Sequence, residues 1–240
     1  MGFEEFGEIL EKKAKKIGIV LNVKQIKNFF DYFLLLIEWN EKMNITAITE
    51  VNDVILKHFI DSLTICKYIP QNAKIIDVGT GAGFPGIPIK ICREDTQITL
   101  LDSLNKRVLF LQEVINKLDL KNIEAIHGRA EEVARNNKYR EKFDVVTSRA
   151  VANMSTLTEY MIPFIKIDGL CIMMKGSDYK EELEKSQRAI NLLGAELKNV
   201  EEFILPDSDI NRSVILIDKV KSTPKQYPRK AGMPSKNPIS

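Results

Sequence analysis

Apolar positions change period along this chain. From Ile26 to Ile37 they recur at three and four, as Ile26, Phe29, Phe30, Phe33, Leu34 and Ile37, which sets them on one face of a helix capped by Asn22. A polar turn with Asn40 and Asn44 leads to a second amphipathic helix carrying Ile55, Phe59, Leu63 and Cys66. Trp39, Asn40, Lys57, His58 and Asp61 surround that turn and read first as packing or capping residues, with a helical appendage that helps to grip a large substrate as the competing reading. After Ala73 the pattern becomes short apolar runs at 74–78, 97–101, 122–127, 143–148, 169–174, 200–205 and 213–219, with helical stretches such as Lys106–Leu118 and Tyr179–Leu193 among the first six. That alternation predicts an α/β fold whose sheet is mainly parallel and covered on both faces. The last two runs lack a helix between them and predict an antiparallel hairpin at one edge. The chain therefore divides into a helical extension (1–68), an α/β domain (69–220) and a tail (221–240).

At 240 residues, 44% of them hydrophobic, the chain can bury one substantial core and a small appendage. No apolar run approaches a membrane span, and the acidic N-terminal stretch has no apolar signal core, so a soluble, cytoplasmic protein without a membrane partner is expected. Cys66, Cys92 and Cys171 are isolated and His58 and His127 are the only histidines, so no metal is expected.

The net charge of +2 hides an uneven distribution. From Lys219 onward there are six basic residues, no acid and four prolines, a composition that predicts no regular helix and a charge facing solvent or a polyanion. Tyr227 beside Arg229 and Lys230 fits RNA, with the ring and guanidinium stacking on bases and the amine meeting phosphate. A solvated extension is the competing reading, and neither gives the tail a part in a cofactor pocket.

The chemistry concentrates in KIIDVGTGAGFPGIPIK, Lys74 to Lys90, a strand that enters a glycine-rich turn and then a helix. Gly79, Gly81 and Gly83 free the backbone for positive φ and for close approach by a nucleotide-like cofactor. Asp77 can face an amino group or hydroxyls, and Pro85 stands at the helix start. Asp102 ends the next strand, 21 residues after Gly81, where it reads as the acceptor for both hydroxyls of a ribose; capping the helix that starts near Asn105 is its competing role. Ligands of such sheets bind at strand ends, which singles out two further turns. His127-Gly128-Arg129-Ala130-Glu131 offers the N–H of Ala130 or Glu131 and a side chain to an adenine edge, with Glu131 favouring the helix N-terminus as its competing role, and Thr147-Ser148-Arg149-Ala150 puts Arg149 over the pocket or in a salt bridge. An N-P-P-Y turn, a thiolate at the fourth strand and a Tyr-x-x-x-Lys pair are absent from the sequence, which argues against adenine-amino, cytosine-C5 and short-chain dehydrogenase chemistry.

Over nearly its whole length the chain resembles the bacterial small-subunit ribosomal RNA methyltransferase G family, also called glucose-inhibited division protein B. The resemblance is carried by WNEKMNITAIT, LKHFIDSL, IDVGTGAGFPGIPIKI, LLDSLNKRVLFL, HGRAEE, FDVVTSRAVA, GLCIMMKG and YPRKAGMPSKNPI, with Thr80 where the family often has serine or alanine. It implies a doubly wound, seven-stranded class I AdoMet-dependent methyltransferase fold. The implied activity is transfer of methyl from S-adenosylmethionine to N7 of a guanine in 16S rRNA, on free rRNA or a small-subunit precursor. By the same resemblance Gly79, Phe84, Ala130, Glu131 and Arg149 belong to the cofactor pocket, beside the Gly81 and Asp102 read from the residues. Lys175, after the fifth strand, faces RNA or serves as a surface lysine. No catalytic acid or base is expected, because guanine N7 carries a lone pair and no proton. A same-fold methyltransferase for a small molecule or protein, and a noncatalytic RNA-binding module, are the alternative readings.

Overall fold

The computed structural model describes residues 1–149 and 152–239, so Ala150 of the predicted strand-end turn lies outside the described residues. Its strands are β1 (Lys74–Val78), β2 (Gln97–Asp102), β3 (Ile123–His127), β4 (Phe143–Arg149), β5 (Ile165–Lys175), β6 (Ala195–Ile204) and β7 (Asn211–Lys219). They form one sheet in the order β3-β2-β1-β4-β5-β7-β6. The first five are parallel to one another, and β7 is antiparallel to both β5 and β6. The predicted hairpin is thus present, with its second strand inserted inside the first. β1 and β4 lie side by side, and the connections leave them in opposite directions. That junction is where a doubly wound sheet opens a crevice at its carboxyl edge.

One face of the sheet packs against α5 (Gly86–Cys92) and α6 (Asn105–Lys117); α2 (Val23–Met43) packs on these two helices and α1 (Phe3–Lys16) on α2, all within one hydrophobic cluster. The other face packs against α7 (Ala130–Val133), α8 (Met154–Met161) and α9 (Lys180–Leu192). Asn22 caps α2 through a capping box with Gln25. The buried stripe of α2 differs from the periodicity: Phe29, Tyr32, Leu35 and Leu36 are buried, whereas Leu34 is 49% exposed. The reason is tertiary, since α2 contacts α1 on one side and α5 and α6 on another, and two contacts rotate and widen the buried face.

The second predicted helix is not regular. It runs as α3 (Val51–Asp53), a π-helical turn (Val54–Ile60) and α4 (Asp61–Leu63). Six of the seven π-turn residues are buried, Lys57 being the exception. The predicted apolar stripe therefore understates the burial of this segment.

The tail is not a free segment, although four of its six cations, Lys221, Lys225, Lys230 and Lys236, are exposed as expected. It packs across α7 and α8 and includes α10 (Met233–Lys236), despite its prolines. Thr223, Pro228, Pro234 and Ile239 are buried. Lys219, the first cation of the run, is buried too: its ammonium donates to Thr223 Oγ1 and to the carbonyls of Ile162 and Leu193, and burial pushes its pKa down to about 8. Among the described residues, no helix is long and apolar enough to cross a membrane.

Candidate cofactor and substrate site

The turn after β1 is built around a buried carboxylate. Asp77 Oδ2 accepts from Thr80 Oγ1 at 2.6 Å and from the backbone N–H of Gly86 at 2.9 Å, which ties the strand end to the start of α5. Gly81 and Gly83 adopt φ of 62° and 101° between these anchors. Gly83 also has no room for a side chain, because a Cβ there would lie 2.7 Å from the Tyr32 hydroxyl. Tyr32 comes from α2 and donates to the carbonyl of Ala82, so the helical extension props the glycine turn from beneath.

Asp77 Oδ1 and Thr147 Oγ1 are buried and have no hydrogen-bond partner. The two residues are register partners on β1 and β4, so their side chains leave the same face of the sheet. Burial pushes the Asp77 carboxyl up to about 6. Unpartnered buried polar atoms are costly, and a ligand group with several N–H donors would satisfy both.

Asp102 stands across the turn, only 2% exposed. Its Oδ2 accepts from Gly81 N at 2.9 Å and its Oδ1 from Leu104 N at 2.9 Å, so it orders both the glycine turn and the entry to α6. Each oxygen retains acceptor capacity for a hydroxyl. Gly79, Asp102, Ala130 and Glu131 line one cavity of about 300 Å³ at the ends of β1, β2 and β3. Tyr160 of α8 and two tail residues, Gly232 and Ser235, complete its wall. This cavity is thus lined by the tail as well as by the strand ends.

Arg149 and Phe84 occupy a different place. Phe84 is buried, with the His58 ring stacked on it at 4.3 Å and the Arg149 guanidinium 5.0 Å from its ring centre. Arg149 Nη1 donates to the carbonyl of Lys57 at 2.9 Å and to Asp61 Oδ2 at 3.3 Å, and its Nη2 contacts His58 Nδ1 at 3.1 Å. Because guanidinium nitrogens only donate, His58 Nδ1 must accept, which places the ring proton on Nε2, donating to Thr46 Oγ1 at 3.0 Å. Burial and the Arg149 charge push the His58 pKa down to about 3. Asp61 also takes Arg212 Nε at 3.1 Å on both oxygens. The sequence favoured packing or capping for His58 and Asp61 over a place beside the site; the motif LKHFIDSL, which contains both, was the available signal for the latter.

Arg149, Lys175 and Arg212 line a second cavity of about 360 Å³, with Asp61 as its one carboxylate. Lys175 is held there by Glu182 at 2.7 Å and by the carbonyl of Ala152. The other residues proposed for RNA separate in the structure. Lys230 is exposed, whereas Tyr227 packs half-buried on the core and Arg229 points inward to the fully buried Glu159, its Nη2 lying 2.7 Å from Oε2. Their placement leaves neither ring nor guanidinium free to stack on bases in this conformation. Leaving the buried Glu159 carboxylate without a partner would cost several kcal/mol, which holds the guanidinium on it.

The family profile for GidB, rRNA small subunit methyltransferase G, matches residues 25–211. The ribosomal RNA small subunit methyltransferase G of Acetivibrio thermocellus is 51% identical over 234 residues, covering 97% of this chain and 96% of that protein. The protein of that name from Clostridium perfringens is 49% identical over 237 residues, covering 98% and 99%. Solved structures of low identity share the fold: a SAM dependent methyltransferase from Aquifex aeolicus (TM-score 0.51, 18% identity, 65% of this chain and 89% of that one) and M. jannaschii TYW2 in complex with AdoMet (TM-score 0.53, 15% identity, 67% and 75%). With the profile spanning most of the chain and half of all positions identical over nearly its full length, this chain belongs to the rRNA small subunit methyltransferase G family.

Proposed function

We propose that this protein transfers a methyl group from S-adenosylmethionine to N7 of a guanine in 16S rRNA, acting in the cytoplasm on the rRNA or a small-subunit precursor. The observation that carries this reading is the pairing of two cavities at the carboxyl edge of the sheet, one flanking the glycine turn and one lined by cations. Bound S-adenosylmethionine supplies an electrophilic methyl group on a sulfonium. Asp102 and the turn at Ala130 and Glu131 suit its adenosine end, while the unpartnered oxygens of Asp77 and Thr147 suit its ammonium. The second cavity carries Lys57, Arg149, Lys175 and Arg212 against Asp61 in its wall and against Asp53 and Glu182, which pair with Lys57 and Lys175, so the cations exceed the acids by one and favour a phosphate-bearing substrate over a small neutral molecule.

Guanine N7 needs no deprotonation before it reacts, so the task of this chain is alignment. Arg149 is fixed by three partners and cannot wander. His58 has both ring nitrogens engaged and stays neutral, so it orients Arg149 and does not serve as a base. The test is to incubate the protein and labelled S-adenosylmethionine with RNA from cells lacking it, then map the label by strand cleavage at N7-methylguanine. One labelled guanine in 16S rRNA is expected. Label on another atom or on no RNA would overturn the reading.

A further inference from the structure

The tail satisfies two acids that the α/β domain buries. Glu159 on α8 is 0% exposed and accepts from the Arg229 backbone N–H at 2.6 Å, from its Nε at 3.1 Å and from its Nη2 at 2.7 Å. Glu131 on α7 is 5% exposed, and its Oε1 accepts from the Gly232 N–H at 2.8 Å. Burying a carboxylate without partners costs several kcal/mol, so a domain with two such acids is built to hold this segment. Arginines from the domain fix the approach. Arg140 Nη1 donates to the carbonyl of Tyr227 at 2.8 Å and Arg135 Nε to that of Pro228 at 2.9 Å. Beyond Arg229 the chain reverses at Gly232, where φ is 81°, and Thr156 Oγ1 fastens the Pro234 carbonyl at 3.1 Å. That reversal brings Ser235 into the wall of the cavity shared by Asp102 and Glu131.

We propose that residues 231–236 are a cofactor-binding element: they close the adenosine side of the S-adenosylmethionine cavity, with Ser235 and Gly232 facing the ligand opposite Asp102. The inference rests on the placement of the cofactor in that cavity. It assigns to cofactor binding a segment whose composition points to RNA. Lys230 and Lys236 flank the wall and remain exposed, so the same short segment presents cations outward and a cofactor surface inward.

Two variants test it, with S-adenosylhomocysteine as the calorimetric probe and thermal unfolding as the control. Truncation after Lys230 removes the wall but keeps the Arg229–Glu159 pair. Ser235→Trp leaves the chain whole and places a bulky ring at the cavity mouth, on a residue exposed enough to accept it. Both should raise Kd at least tenfold, with the Ser235→Trp protein melting within a few degrees of wild type. Wild-type affinity in Ser235→Trp, or in a folded truncated chain, would overturn the proposal. If the truncated chain does not fold, Ser235→Trp decides alone. Failure of the wild type itself to bind would instead remove the cofactor assignment on which the proposal rests.

Discussion

Two buried titratable residues at the glycine turn pull the acid stability of this protein in opposite directions. Asp77 titrates near 6 in the fold against an ordinary 3.8, so the stability it contributes is present below the ordinary value and lost as pH rises through 6, by about 3 kcal/mol at most. His58 titrates near 3 against 6.5, so its contribution is present above 6.5 and lost as pH falls. Relative to wild type, Asp77→Asn should therefore lose stability more steeply between pH 6.5 and 4.5, because only the histidine slope remains of the two. His58→Gln should lose it less steeply or gain. Urea unfolding at pH 7, 6 and 5 measures both slopes, and curves parallel to wild type would show that neither residue is shifted as described. Asp102 has a separate test. Asp102→Ala should weaken S-adenosylmethionine binding by about 1.5 to 3 kcal/mol, the scale of hydrogen bonds to a charged acceptor. Titration calorimetry reads the loss, and unchanged affinity in a folded variant would leave Asp102 with only its backbone contacts to Gly81 and Leu104.

At the scale of elements, the helical extension is part of the site and not an attachment to it. Tyr32 and Phe59 pack with Phe84, and the Tyr32 hydroxyl holds the carbonyl of Ala82 in the turn. Tyr32→Phe keeps the ring and leaves Ala82 without that donor. It should cost about 1 to 2 kcal/mol of stability and raise the cofactor Kd several-fold, as read by urea unfolding and calorimetry on one preparation. Loss of stability with unchanged affinity would limit the extension to packing. The π-helical turn acts at the other cavity, where its Lys57 and His58 carbonyls lie 2.9 and 3.5 Å from Arg149 Nη1. Neither the π-turn nor the Tyr32 contact is written in the local periodicity. Phe29, Phe33 and Ile37 predict a helix, but which of its faces meets the glycine turn depends on partners far along the chain.

For the whole molecule, charge and shape separate two ligands. Lys221, Lys225, Lys230 and Lys236 are exposed, whereas Arg229 and Lys219 are turned inward, so the electrostatic grip of the tail on RNA rests on four lysines of the six cations. Replacing Lys221, Lys225 and Lys230 by alanine should lower the slope of log affinity against log salt by about 0.7 to 0.9 for each phosphate that is no longer neutralised, with cofactor affinity unchanged. Filter binding of a 16S rRNA fragment across a salt series measures it. A slope equal to that of wild type would move the RNA-binding surface away from the tail.

The sequence by itself determined the α/β class, the seven strands within a few residues, the antiparallel edge hairpin and the glycine turn between its two strand-end acids, Asp77 and Asp102. Those features are local: strand and helix periods, positive-φ glycines and strand-end carboxylates are set within a few residues of one another. The regular second helix, the free basic tail and the apolar stripe through Leu34 were read from the same local rules and are corrected by long-range contacts. Only the tertiary structure decided that Asp61 is shared by Arg149 and Arg212, that Tyr32 reaches Ala82, and that Arg229 and Gly232 turn to Glu159 and Glu131. These pairs lie between 50 and 151 residues apart. A buried charge takes whatever partner the fold brings to it, and composition cannot say which residue that will be.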